Sequence, residues 1–319
     1  MLWLIVAALT VWAAAALFYD LPFGKANLIG VFIYIAVVAA IIAVAPGRQF
    51  KALACSASFA AVLLWWLMID PSSDRFWQED VAKTAWAEVS GDRVTVHNVR
   101  NFDYQTEHDY TPRWETRSYD LRDLRGGDLF ITHWGSPWIA HPIVSFQFGD
   151  KEHLAFSVET RKEVGEEYLA IRGFFRQYEL IYVAGDERDL VRLRSNHRTG
   201  EEVYLYRTRT TPAAARAIFL DYLRSVNELH ATPVFYNALT SNCTTNIRIH
   251  VQSGSALAPW DWRLLLNGKS DEYAYEHGRL AGDLPFEQLK EKAHINDVAR
   301  SVGTAEDFSA LIRLGRPGF

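Results

Sequence analysis

A chain of 319 residues, 49% hydrophobic and 22% charged, is long enough for one or two globular domains and falls outside the disordered, collagen-like and disulfide-scaffold classes. Its charge is uneven: of 33 basic and 38 acidic residues, only Asp20, Lys25, Arg48 and Lys51 precede residue 70. The remainder is net acidic, which gives nucleic acid no basic footprint to bind.

Three stretches free of charge, residues 2–19, 26–46 and 52–69, each approach the ~20 apolar residues that a helix needs to cross a bilayer. Residues 13–16 are small, as at a signal-peptide cleavage site, but no positive segment precedes the first stretch, so a membrane helix is expected there too. Arg48 and Lys51, between the second and third stretches, set that turn on the cytoplasmic side and the rest of the chain outside. Lys25 lies in the outer loop beside Asp20. Trp65, Trp66 and Trp77 suit an outer aromatic belt, or ordinary packing. The expected organisation is a three-helix transmembrane anchor over residues 1–70 and an extracytoplasmic domain over 71–319. The two cysteines, Cys55 and Cys243, fall on opposite sides of that division. No disulfide is expected, and Cys243 is a free thiol, either buried and inert or reactive.

Along the soluble part, residues 70–74 form a polar link. Phe76, Trp77, Val81, Ala85 and Trp86 are spaced for a short helix over 75–89, lying on the membrane surface or against the core. Residues 94–99, 114–121 and 128–132 read as strands, punctuated by Pro112, Gly126-Gly127 and Gly135-Ser136-Pro137. A hairpin follows, 141–148 and 152–161 around Gly149-Asp150-Lys151. Its even positions Val144, Phe146, Phe148, Leu154, Phe156 and Val158 are apolar, and its odd positions include His141, Ser145, Gln147, His153, Ser157, Glu159 and Arg161. One face belongs to the core, the other to solvent or chemistry. A three-residue loop pairs Phe148 with Glu152, which sets His141 opposite Glu159 and leaves His153 roughly 20 Å from His141 at ~3.3 Å per residue.

Further strands are predicted over 178–184 and 202–207, and a short helix over 186–195. A longer helix over 211–229 has Thr211 as its cap and Pro212 in its first turn. After Pro233, residues 235–246 lead into the apolar run Ile247, Ile249, Val251, so Cys243 sits at a helix start. The tail, 260–319, reads as helices covering the domain.

A thiol at a helix N-terminus meets unpaired N–H groups and the positive dipole end, which favour the thiolate. Asn242 suits the cap position, and the Cys243 N–H is placed to bind an oxyanion. The thiol needs a proton acceptor, and His141, held by Glu159 across the hairpin, is the best placed. Taken singly, a cysteine entering a helix is more often a buried small hydrophobe; three agreeing signals shift the balance toward chemistry. Motifs of zincins, serine hydrolases, P-loop and dinucleotide enzymes are absent from the sequence, and no metal or cofactor is expected.

Several runs then resemble one family: Asn98-Val99-Arg100-Asn101-Phe102-Asp103-Tyr104, Pro112-Arg113-Trp114-Glu115, Ala140-His141, Ser157-Val158-Glu159-Thr160-Arg161, Phe175-Arg176-Gln177-Tyr178, and Phe235-Tyr236-Asn237 through Asn242-Cys243-Thr244-Thr245-Asn246. In this order they resemble the Lnb N-terminal periplasmic domain family over about residues 94–300. The resemblance implies a bacterial inner-membrane lipoprotein N-acyltransferase with its catalytic domain on the periplasmic side. Such an enzyme moves an acyl chain from the diacylglyceryl group to the N-terminal cysteine amine, giving a lyso-form lipoprotein. The His-then-Cys order is also similar to permuted papain-like enzymes of the NlpC and lecithin:retinol acyltransferase types, making the fold class α+β, with an antiparallel sheet and surrounding helices after the three membrane helices. In that resemblance Cys243 is the nucleophile and His141 the base. The third residue is Glu159 by hairpin geometry, or His153 by analogy with a second histidine about a dozen positions after the first.

Asn242 and Tyr236 are expected at the oxyanion, and Ser145, Ser157 and Arg161 at substrate, Arg161 alternatively forming an ion pair with Glu159. The expected partners are the bilayer and a lipoprotein or lipid. The alternatives are a papain-like cysteine peptidase or amidase acting on peptidoglycan, which requires an open polar groove, and a non-catalytic membrane-tethered module with an inert Cys243. Acyl transfer instead requires an apolar slot.

Overall fold

A computed structural model describes residues 1–254, 261–264 and 266–319. Helices α1 (Leu2–Asp20), α2 (Asn27–Val44) and α3 (Arg48–Leu67) are long and apolar enough to cross a membrane. Ala13 and Ala16 are fully buried in the bundle, whereas most of its Leu, Ile and Phe side chains face outward, as helices solvated by lipid require. Cys55 packs inside with Tyr34 and Val38. Both cysteines are free thiols.

The strands are β1 (Trp86–Ser90), β2 (Arg93–Arg100), β3 (Asp103–Tyr104), β4 (Tyr110–Thr111), β5 (Trp114–Asp120), β6 (Leu124–Trp134), β7 (Ser136–Phe148), β8 (Glu152–Arg161), β9 (Glu179–Gly185) and β10 (Glu201–Arg207). Eight of them form one sheet in the order β1-β2-β9-β8-β7-β6-β10, with β5 also on β2, while β3 and β4 pair separately. Pairing is antiparallel except between β2 and β9, which meet in parallel at Arg100 and Gly185. The β7–β8 hairpin has the predicted register, from Phe148 opposite Glu152 to Ile143 opposite Ser157.

Residues 75–89 are not the helix that their spacing predicts. The segment holds one 3-10 turn (Glu79–Val81), and β1 starts at Trp86 to form a hairpin with β2. Its neighbours decide this: the Gln78 N–H donates to the Lys162 carbonyl at 2.9 Å, and the Arg161 guanidinium stacks 4.3 Å over the Trp77 ring. Tertiary pairing at the end of β8 overrides a weak local helical pattern.

Helix α5 (Pro212–Ala231), capped by Thr211 accepting from the Ala214 N–H, covers the even face of the hairpin. There Phe146, Phe148 and Phe156 pack against Phe219 and Tyr222. The odd face is also covered, so of the two readings open for it, solvent or chemistry, it is not the solvated one. Above it lie α4 (Glu187–Arg192), α9 (Asn296–Val302) and α10 (Phe308–Leu311), with Ile143 and Ala155 packed against Leu190, Val191 and Phe308. This second layer brings charges that answer those of the strands. Ser145 donates to Glu187 at 2.5 Å, while Arg313 bridges Glu187 at 2.6 Å and Asp128 at 2.8 Å. Buried ions require such pairing. The tail adds α7 (Ser270–Glu276) and α8 (Phe286–Ala293); residue 260, where the predicted tail begins, lies outside the described residues.

The bundle joins the domain through residues 175–177. Phe175 stacks on Tyr19 at 5.0 Å, Arg176 donates to the Ile69 carbonyl, and Gln177 donates to Asp20 and to the Tyr19 carbonyl at 2.8 Å each. The polar link is pinned as well, the Ser72 N–H donating to Glu179 at 3.0 Å and Arg75 pairing with Glu179 at 3.0 Å.

Candidate active site

Helix α6 (Cys243–Gly254) begins at the thiol because Asn242 caps it: its Oδ1 accepts from the Thr244 N–H at 3.0 Å and the Thr245 N–H at 2.9 Å. These are the second and third helical positions, the usual partners of a cap. The Cys243 N–H takes no part in either bond. Asn242 Nδ2 donates to the Ala238 carbonyl at 2.8 Å, which ties the approach loop to the helix. Two turns further on, His250 is held between Asp221 of α5 and the Tyr182 hydroxyl of β9, each at 2.8 Å, fixing α6 against the sheet.

His141 lies on β7, paired with Thr132 of β6, and the thiol of Cys243 is within hydrogen-bonding reach of its imidazole. Its Nε2 stands 2.6 Å from Ser157 Oγ and 3.1 Å from Glu159 Oε1. Ser157 donates in turn to Glu159 at 2.6 Å. Arg194 completes the row, donating to Glu159 at 3.0 Å and pairing with Glu201 at 3.2 Å. It comes from a π-helical turn, Leu193–His197, that continues α4. Burial pushes the His141 imidazole down, but the Glu159 carboxylate overrides this, with Arg194 opposing and the bond to Cys243 assisting, so its pKa lies above the usual value. Burial likewise pushes Glu159 up, and the charges of His141 and Arg194 reverse this to hold its carboxyl well below the ordinary range. The pair therefore favours an imidazolium beside a carboxylate.

A residue that sequence reasoning missed completes the surroundings of the thiol. Asn267 Nδ2 donates to Cys243 Sγ at 3.5 Å, and its Oδ1 accepts from the Ala140 N–H at 2.9 Å. It reaches this place because Gly268 lies directly on the start of β7: a Cβ there would stand 2.3 Å from the Pro137 carbonyl oxygen. The Asn-Gly pair is the signal that the sequence offered, a turn whose partners are 127 residues away.

The other expected residues scatter. Tyr236 is buried beside the thiol, and its hydroxyl bonds to that of Tyr168. Burial, with Cys243 and Tyr168 nearby, pushes its pKa far up, so it remains a proton donor. Ser157 stands between His141 and Glu159. Ser145 is turned to Glu187. Arg161 does not form the expected ion pair with Glu159. It donates to the Val81 and Ala82 carbonyls at 3.0 and 2.8 Å, because Arg194 already occupies the carboxylate. His153 pairs with Gln147 near the hairpin turn, and its Nδ1 lies 3.2 Å from the Lys151 carbonyl; burial lowers its pKa.

A cavity of about 410 Å³ lies between β6, β7, α5, α6 and α7; Cys243 and His141 do not line it, but their chain neighbours Thr244 and Pro142 do. Its walls include Val144, Phe146, Ile218 and Ile247.

A three-helix anchor and an α+β domain with a thiol at a helix start, facing an imidazole backed by a carboxylate, define a membrane-anchored protein with a cysteine-centred site. The chain belongs to the Lnb N-terminal periplasmic domain family, whose model matches residues 110–268, a narrower span than the resemblance read from the sequence but one that holds Cys243, His141, Glu159 and Asn267. The protein is therefore membrane-anchored with a periplasmic domain. No curated protein and no solved structure matches it.

Proposed function

We propose that the protein is a cysteine-dependent acyltransferase at the bacterial inner membrane, moving an acyl chain from the diacylglyceryl group of a lipoprotein to its N-terminal amine through a Cys243 thioester. The observation that carries this reading is the thiol of Cys243 against an imidazole held by Glu159, with a largely apolar cavity bordered by the neighbouring residues Pro142 and Thr244. Its volume is within the ~300–1,000 Å³ of small-molecule sites, and its walls, largely apolar although Asp128, Arg209 and Arg279 also border it, suit a hydrocarbon chain. The peptidoglycan alternative requires an open polar groove, and the mostly apolar surface of this cavity favours the acyl reading over it.

In the reaction the Cys243 sulfur attacks the ester carbonyl while His141 holds the thiol proton. Nε2 is engaged by Ser157 and Glu159, so Nδ1 is the nitrogen left for this exchange. Glu159 stabilises the imidazolium, and Arg194 fixes Glu159. The oxyanion is met by the Cys243 N–H, by Asn267 Nδ2 and by the protonated Tyr236, while Asn242 positions the helix start. Collapse expels the glyceryl oxygen, which takes the proton from His141 and leaves the acyl group on sulfur. The substrate amine then attacks the thioester, His141 receives its proton, and the thiol is restored. A thioester is more reactive toward amines than the oxygen ester it came from, and a water-poor site limits hydrolysis.

The test is to incubate the full-length protein with a diacylated lipopeptide, then look for hydroxylamine-labile acyl mass on Cys243 and for N-acylated product. Wild type and Cys243→Ala behaving alike, with neither adduct nor product, would overturn the proposal.

A further inference from the structure

We propose that the segment 168–174, with Leu239 beside it, is a rim immersed in the outer leaflet that passes an acyl-bearing lipid from the bilayer to Cys243. Tyr168, Leu169, Ile171, Phe174 and Leu239 are each between 41% and 55% exposed. A contiguous run of large apolar side chains left outside on a soluble surface marks a contact site. The next residue shows what it contacts. Phe175 lies not only on Tyr19 but also 6.4 Å from the ring of Trp12, a residue about 12 Å below the end of α1 at ~1.5 Å per residue. The chain at 175 therefore dips between the outer ends of the membrane helices. Arg176 keeps it there, its guanidinium 4.6 Å over Trp66. A segment anchored at that depth brings its apolar side chains to the headgroup and upper acyl region, where interfacial elements bury themselves about 5–10 Å.

The same segment is fastened to the site. The Gly173 carbonyl accepts from the Ala238 N–H at 2.8 Å, and a Cβ on Gly173 would come within 3.2 Å of the Tyr236 ring. Tyr168 bonds to Tyr236, and both lie in the field of Cys243. Rim and tyrosine pair are thus linked by contacts to the surroundings of the thiol. The immersion rests on this geometry; the passage of lipid to Cys243 rests also on the acyl-transfer reading, and the experiment separates the two.

Ile171→Cys and, as a control remote from the bundle, Val89→Cys on β1 are placed in a Cys55→Ala, Cys243→Ala background and labelled with a bimane fluorophore. The full chain is reconstituted into nanodiscs of phosphatidylethanolamine and phosphatidylglycerol carrying a nitroxide near the headgroup. The label at 171 should lose about half its emission or more, and that at 89 little, given the shallow depth of interfacial elements. Equal quenching at both positions overturns the immersion. Separately, Leu169→Asp/Ile171→Asp in the otherwise native chain should slow acylation of Cys243 by a bilayer-borne diacyl lipopeptide about tenfold or more, as lost interfacial burial predicts. Acylation by water-soluble p-nitrophenyl butyrate should be unchanged. Equal slowing with both donors overturns the delivery role. If the label at 171 is quenched while the wild type takes acyl groups from neither donor, the rim stands and the acyl-transfer reading falls.

Discussion

Asn267→Ala removes a single amide from the surroundings of the thiol, and the geometry dictates which reactions should feel it. The carboxamide is fixed before substrate arrives: its Oδ1 is held by the Ala140 N–H at 2.9 Å and its Nδ2 points at the sulfur from 3.5 Å. When the sulfur bonds to a carbonyl carbon, negative charge moves from sulfur to an adjacent oxygen, and a donor already aimed there can close to the ~2.7–3.1 Å that oxyanion stabilisation needs. Loss of one such donor costs about 10²–10³-fold in rate, or ~2.7–4 kcal/mol. Acyl-enzyme formation should therefore slow at least about 100-fold. Alkylation of Cys243 by iodoacetamide proceeds by displacement and builds no oxyanion, so its rate should stay within about twofold of wild type. The assay follows adduct mass at Cys243 over time with each reagent at one pH, on protein whose melting temperature has been checked. Equal slowing of both reactions would mean that Asn267 acts on the thiol alone, and unchanged acylation would remove it from the mechanism.

Four further outcomes follow from the same geometry. Glu159→Gln takes away the charge that holds the His141 pKa up against burial, so the high-pH limb of the acylation profile, where imidazolium is lost, should move to lower pH; an unmoved limb would refute the pairing. Because the Glu159 carboxyl is held well below its ordinary range, the stability it contributes is complete above about pH 4.3 and fades as pH falls toward the folded value; acid melts of Glu159→Gln should lack that part of the decline. Gly268→Ala sets a Cβ 2.3 Å from the Pro137 carbonyl oxygen, so the turn must shift. Acylation should fall as it does for Asn267→Ala, with a stability loss of about 1–3 kcal/mol on thermal unfolding. Ala214→Phe, filling the cavity wall from α5, should reduce kcat/KM for a long acyl chain about tenfold or more relative to a butyryl donor, in line with steric discrimination in apolar pockets.

How much of this was legible in the sequence depended on the range of the determining contacts. The hairpin register followed from a three-residue turn and strict alternation, and the helix start at Cys243 from a capping asparagine: both are local. Residues 75–89 misled because a 3.6-residue spacing of Phe76, Trp77, Val81 and Ala85 is cheap to produce by chance and weak against pairing with β2 and β8. The polar face of the hairpin stayed open between solvent and chemistry because alternation shows only what a strand carries, whereas its cover comes from Glu187, Arg194 and Arg313, which arrive on other elements with matching charge. Asn267 was invisible for the same reason, since nothing near it in the chain points at Cys243.

The short join between bundle and domain also has a geometric consequence. Asp20 accepts from both Trp66 and Gln177, and the link is clamped through Ser72 and Arg75 to Glu179, so there is no slack tether on which the domain could swing. On the acyl-transfer reading, Cys243 would then work at a constant height above the bilayer, like the jaw of a calliper. Molecules would be sorted by how far their reactive ester stands from the membrane plane before any side chain reads their chemistry. Lengthening the link between residues 70 and 74 should blur that selection without touching the site itself.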